Sequence, residues 1–164
     1  MQYHIRLDEK EIKDQDSLKK ILREASYITV ALCKNNEPYL VSLSHSYDED
    51  RNCLYFHCAS EGKKLDFMQA NPRVWGEAVI DKGYAQGRCT HLYASVMFSG
   101  RIEFVTDPVE KKDAFANMIR LLDKNPEPLM KRLVNTTTGP ITKTIVGRIV
   151  IEEMTGKKSS EVTI

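Results

Sequence analysis

At 164 residues, with 41% hydrophobic and 29% charged side chains, the chain is long enough for one real core and has the composition of an ordinary soluble globular protein. A formal net charge of +1 excludes the strongly basic profile of a general nucleic-acid or acidic-lipid binder, and no apolar run approaches membrane-spanning length. The opening MQYHIRLDEKEIKDQD is charged and lacks an apolar signal core, so a cytoplasmic location is expected.

Residues 16–26 read as a helix. Leu18, Ile21, Leu22 and Ala25 recur at helical spacing, and Asp16 or Ser17 can cap it. YITVALCK, 27–34, then reads as a strand, Asn35-Asn36 as a hairpin turn, and PYLVSLSHSY, 38–47, as the return strand. Alternation there puts Tyr39, Val41, Leu43 and His45 on one face, and Leu40, Ser42, Ser44 and Ser46 on the other. After a turn at 48–52, CLYFHC, 53–58, completes a three-strand meander. A short amphipathic segment, 60–71, stops before Pro72, and VWGEAVI, 74–80, is the fourth strand.

DKGYAQGRC, 81–89, reads as a mobile, glycine-bearing loop. HLYASVMFSGRIEFV, 91–105, is the longest strand, with Gly100 marking a bulge or sharp bend. Asp107-Pro108-Val109-Glu110 is a helix start: an acidic cap, proline at the first position and a capping-box glutamate. Phe115, Met118, Ile119 and Leu122 supply its apolar face, and Asn125-Pro126 ends it. EPLMKRLVN, 127–135, reads as a further short helix, TTTGP, 136–140, as a loop, and TKTIVGRIVIEEM, 142–154, as the last strand. The Lys157-Lys158 pair reads as a solvated tail. Strands do not alternate regularly with helices, so the order excludes a doubly wound parallel sheet and favours an antiparallel barrel with covering helices.

Four cysteines, Cys33, Cys53, Cys58 and Cys89, form no C-x-x-C pair and are expected to be reduced thiols. Their spacing with the histidines matches no zinc-ligand pattern, so no metal site is expected. The stretch YFHCASEGKKLDFMQANPRV, 55–74, carries more chemistry. A strand ends in a small polar turn, and Gly62, Lys63 and Lys64 open a helix. Free N–H groups, the helix dipole and ammonium groups at such a start favour an anion such as phosphate. The same residues also read as an ordinary strand-to-helix connection with solvated lysines.

On this block, the hairpin NNEPYLVSLSHSYD, the strand YASVMFSGRIEFV, the helix start DPVEKKDAF and the tail TKTIVGRIVIEEMTGKKS, the chain resembles the flavin-binding split-barrel proteins related to pyridoxamine 5′-phosphate oxidase. Within them it is most similar to the nitroimidazole-resistance type. The resemblance covers nearly the whole chain, 1–164, as a single domain. It implies a six-stranded antiparallel split β-barrel of Greek-key character with flanking helices, and a homodimer with FMN (or FAD) at the subunit interface. Carried onto this sequence, Val41, Ser42, Leu43 and Ser44 would lie along the flavin ring, and His57, Ser60, Lys63 and Lys64 at the phosphate end. Tyr93 and Ser95 would border the site. Lys64 matches the family's repeated lysine. Ser42 and Ser44 stand where many members carry proline and asparagine. Ala94 replaces an arginine of the Y-R-S-V pattern, a contact for which Arg88 or Arg101 could substitute. A signature expected of a true pyridoxamine phosphate oxidase is missing, so vitamin B6 oxidation is not expected.

His57 carries two readings: a hydrogen-bond donor to flavin or substrate, or a barrel-wall histidine satisfied by a carbonyl. His57 and Tyr93 are the candidate catalytic side chains by type. His45 reads as structural or surface, His91 as exposed, and Trp75 as core or interface. The function expected is a flavin-dependent oxidoreductase taking electrons from a donor to a small-molecule acceptor, with no nucleic-acid or membrane partner. The alternatives are a non-catalytic flavin carrier or redox sensor, and a haem-handling split barrel using His45 or His91.

Overall fold

The computed structural model describes residues 5, 7–135 and 144–164. The expected 136–140 loop and the first residues of the expected 142–154 strand lie outside them.

Strand β1 is a two-residue bridge, Glu11–Ile12, and helix α1 spans Gln15–Glu24. The cap of α1 is Asp14, two or three residues earlier than expected, whose side chain accepts from the Ser17 N–H at 2.8 Å. Leu18, Ile21 and Leu22 are fully buried, as their spacing predicts. β2, Ile28–Lys34, and β3, Glu37–Leu43, form the expected hairpin, with Asn35 and Asn36 at φ 51° and 64°. The expected 38–47 strand is broken. It pauses at Ser44-His45 and resumes as β4, Ser46–Asp48, which pairs with β5, Cys53–Cys58. The cause is His45. Its side chain is fully buried, and its ring Nε2 lies 2.7 Å from the Leu22 carbonyl near the end of α1.

Helix α2 spans Lys63–Ala70, shorter than the expected segment. β6, Arg73–Ala85, and β7, Thr90–Phe104, are longer than expected. Residues 81–85 are not a loop. They pair with β7 through Tyr84↔His91 and Ala85↔Thr90, and only Gln86–Cys89 turn. α3, Pro108–Leu122, begins as predicted, with the Asp107 side chain accepting from the Glu110 N–H at 3.0 Å. Its buried face is Ala114, Ala116 and Met118, whereas Leu122 is exposed. α4 spans Glu127–Asn135 and β8 spans Ile145–Lys158. Lys157 and Lys158 are therefore strand residues, opposite Ser95 and Ala94, not a solvated tail.

The strands form one antiparallel sheet in the order β3-β2-β6-β7-β8-β5-β4, with β1 added along β8. This is the split-barrel fold. Among the described residues it has eight strands, not six, because β1 and β4 count separately, and its ends β3 and β4 do not close. The sheet curls around a core that joins α1 to Ile28, Val30, Leu54, Phe56, Val96, Phe98 and Ile149. Two phenylalanines lie across glycines on the adjacent strand: Phe98 opposite Gly76 and Phe56 opposite Gly147. A Cβ on Gly147 would stand 2.4 Å from the Phe56 ring. The bulge expected at Gly100 is present: Ser99 faces Glu153 but Gly100 faces Ile151.

A second cluster of Cys53, Tyr55, Val105, Ala114 and Val146 lies under α3. β5 is thus covered on both faces from Cys53 to Phe56, which explains the apolar sequence there, while His57 beyond it is exposed. No described helix is long and apolar enough to cross a membrane.

Candidate functional site

The turn from β5 into α2 brings His57, Ser60 and both lysines to one end of the sheet. Gly62, at φ 119° with open space where a Cβ would be, lets the chain enter the helix. No side chain caps α2, so its first N–H groups are available to an anion.

The two lysines have different surroundings. Lys63 is held on β3: its Nζ pairs with Glu37 at 2.9 Å and lies over the rings of Tyr39 and Phe67, at 4.8 and 5.2 Å. With the Lys34–Asp66 pair at 2.5 Å, this fastens α2 to the β2–β3 hairpin. Lys64 is half-buried and has no such partner among the described residues. Its charge acts on His57 and on Cys58. Burial, and secondly the Lys64 charge, hold the His57 imidazole below its ordinary pKa. The His57 ring meets the Phe115 ring in a tilted contact, 5.7 Å between centroids, and makes no hydrogen bond among the described residues. The barrel-wall reading, in which a carbonyl satisfies this ring, is not what the structure has.

The same α2 contacts set this turn beside β3, which among the described residues is an edge strand bonded only to β2. The outer edge of Val41–Leu43, and Ser44 beyond it, therefore offers unpaired backbone groups. Leu43 contributes only backbone, since its side chain is buried.

Tyr93 and Ser95 lie elsewhere. They sit on β7, opposite Asp81 and Val79 of β6. Two strands separate β7 from β3, about 14 Å at the usual strand spacing. The Ser95 hydroxyl donates to the Lys157 carbonyl at 3.4 Å, and the Tyr93 N–H donates to the Ser159 hydroxyl at 3.2 Å. Of the two arginines named as substitutes, Arg88 is bound by both oxygens of Glu161, and Arg101 is exposed.

Between these two groups runs the outer face of β3-β2-β6-β7. It exposes Leu40, Trp75, Val79 and Met97, at 65, 53, 41 and 41%. Thr29, Ala31, Leu40, Trp75 and Met97 line a recess of about 150 Å³ there. Trp75 is therefore exposed and does not belong to the core. His45 is buried with its Nδ1 unpartnered, and His91 is exposed with Nε2 3.1 Å from Asp81. The sequence reading missed Glu37, which occupies Lys63, and Phe115, which packs on His57. Both are far away in sequence, and neither carries a local signal.

The chain is thus an open antiparallel split barrel with an uncapped helix start beside a free strand edge. The chain matches the family model described as pyridoxamine 5′-phosphate oxidase over residues 14–158, and it belongs to that family. No curated protein matches it in sequence. Among solved structures, it is similar to a candidate 5-nitroimidazole antibiotic resistance protein from Bacteroides thetaiotaomicron, at 24% identity and TM-score 0.71, covering 90% of this chain and 85% of that one. It is similar to a FAD-binding protein from Mesorhizobium loti, at 26% identity and TM-score 0.62, covering 89% and 95%. The flavocytochrome Anf3 from Azotobacter vinelandii matches at 21% identity and TM-score 0.78, covering 96% and 72%.

Proposed function

We propose that this protein is a homodimeric flavin-binding oxidoreductase of the nitroimidazole-resistance type, with FMN its cofactor, acting on a small acceptor. The observation that carries the reading is the division of the candidate residues. His57, Ser60, Lys64 and the β3 edge form one group, and Tyr93 and Ser95 form another, about three strand spacings away. An apolar face lies between them. Docking that face on a second copy completes the site from two chains and covers Leu40, Trp75, Val79 and Met97.

The residues present fit a flavin phosphate. Lys64 supplies a charge without an internal partner, α2 supplies free N–H groups, and His57 supplies ring nitrogens not spent on the protein. Lys63, held by Glu37, positions α2 against β3 and leaves the phosphate contact to Lys64. The backbone of Val41–Ser44 binds the ring edge, and the burial of Leu43 keeps that edge in place. His57, held below its ordinary pKa in the free protein, offers its ring nitrogens to the ligand as hydrogen-bonding groups. Tyr93 and Ser95 of the second copy border the acceptor. When bound, the flavin supplies the electron transfer itself.

The test is the absorption spectrum of the purified protein, with identification of the cofactor released on denaturation. A yellow protein releasing FMN, and turnover with a nicotinamide donor and a nitroaromatic acceptor, support the reading. Bound flavin without turnover supports a carrier or sensor. The match to a flavocytochrome motivates a haem reading, in which a Soret band would appear. His45 is ill-suited as its ligand, because Nε2 is bound to the Leu22 carbonyl, which leaves His91.

A further inference from the structure

Side chains of β5 alternate between two environments. Leu54, Phe56 and Cys58 enter the main core, while Cys53 and Tyr55 turn to the cluster under α3. His57 continues that second row, two residues beyond Tyr55, where the cover of α3 ends. α3 is fixed at this place from its first turn. Glu110 accepts a hydrogen bond from the Tyr55 hydroxyl at 2.7 Å and one from Arg148 Nη1 at 2.5 Å. Arg148 is held in turn by Glu103 on β7 at 2.7 Å. One turn later Ala114 is buried at 1% against β5. The next residue, Phe115, lays its ring on His57, with the planes inclined at 43°.

We propose that Phe115 is a positioning residue: it clamps the His57 imidazole at the phosphate end of the flavin site, leaving ring nitrogens that no described residue bonds for the ligand. The inference rests on the flavin reading above. An unclamped ring at a strand end would sample several rotamers, and ordering it on binding would cost affinity. The aromatic contact supplies that order beforehand. It also covers part of a ring that is otherwise exposed, and partial burial is the first cause that lowers the His57 pKa. Among the described residues, Lys64 from α2 carries the charge that acts on His57, Phe115 from α3 is uncharged, and so is Val146, opposite on β8. Removing Phe115 therefore leaves the Lys64 effect in place and relieves the burial.

The experiment uses the full chain with Phe115→Ala, Phe115→Tyr and, as a control elsewhere on α3, Leu122→Ala. The His57 ring is titrated by NMR without cofactor, and FMN affinity is measured by fluorescence. Phe115→Ala should raise the His57 midpoint toward its ordinary value and weaken FMN about fivefold. Phe115→Tyr should restore both, and Leu122→Ala should move neither. If Phe115→Ala does not fold, Phe115→Leu keeps the apolar volume without the ring face and is read by the same criteria. A folded variant whose His57 titration is unchanged overturns the proposal, whatever happens to FMN. A shifted titration in a protein that binds no flavin supports the clamp and overturns the flavin reading.

Discussion

Replacing Lys64 with alanine tests the phosphate end of the site. Lys64 is the second residue of α2 and is half-buried beside His57, whereas its neighbour Lys63 is spent on Glu37. A hydrogen bond to a charged group is worth about 1.5–3 kcal/mol. Its loss should weaken FMN binding by roughly tenfold to 150-fold. Riboflavin has the same ring system and no phosphate, so its affinity should change little. Lys63→Ala removes an exposed ion pair worth about 0–1 kcal/mol, and should weaken FMN and riboflavin slightly and alike. Both variants should fold as the wild type does, since neither side chain enters the core. The assay is titration of the apoprotein with each ligand, followed by flavin fluorescence. Equal loss of FMN and riboflavin affinity in Lys64→Ala would refute the assignment. A phosphate-selective loss in Lys63→Ala would show that the Glu37 pair opens to release Lys63.

Burial holds the His45 imidazole below its ordinary pKa, against the opposing hydrogen bond to Leu22, so the unfolded chain binds the proton first as pH falls. The His45 contribution to stability is thus intact above about pH 6.5 and declines as pH falls toward the depressed folded value. His45→Leu should cost about 1 kcal/mol near neutrality, and urea unfolding should show that gap narrowing at about pH 5; a constant gap would contradict this. Gly147→Ala drives a Cβ into the Phe56 ring and should destabilise by about 1–3 kcal/mol; an unchanged urea midpoint would mean the ring moves aside freely. Trp75→Glu puts a charge on the exposed apolar face. If that face buries on the order of 2,000 Å² in a dimer, sedimentation should show dissociation together with loss of flavin. A flavin-loaded monomer would separate the cofactor site from the interface.

Local signals located most elements, because periodicity and caps act within a few residues. The Asn35-Asn36 hairpin and the Asp107-Pro108 helix start are examples. Departures came where distant contacts decide. The break at Ser44-His45 depends on the Leu22 carbonyl. The extension of β6 and β7 through 81–85 depends on two halves of a hairpin pairing past Gly83, which alone reads as a loop. For the site, the turn after β5 was legible as a glycine and two lysines at a helix start. The division of labour between those lysines was not, because it is set by Glu37 across the sheet. Nor could alternation along β5 reveal that His57 meets Phe115 of α3, since the helix arrives only after two further strands.

The position of β8 has a consequence for how the chain is made. β8 sits between β7 and β5, and β1 also rests on it. Until residues 145–158 leave the ribosome, the growing chain holds two separate fragments, β3-β2-β6-β7 and β5-β4. Each carries an unpaired strand flank and half of an unfinished core, the surfaces that adhere to other nascent chains. Completion of the barrel thus waits on β8, the last of the described strands in chain order. A message truncated after α4 would yield two adhesive half-sheets in place of a smaller working barrel. Such a product should enter inclusion bodies, while the full chain at the same expression level stays in solution.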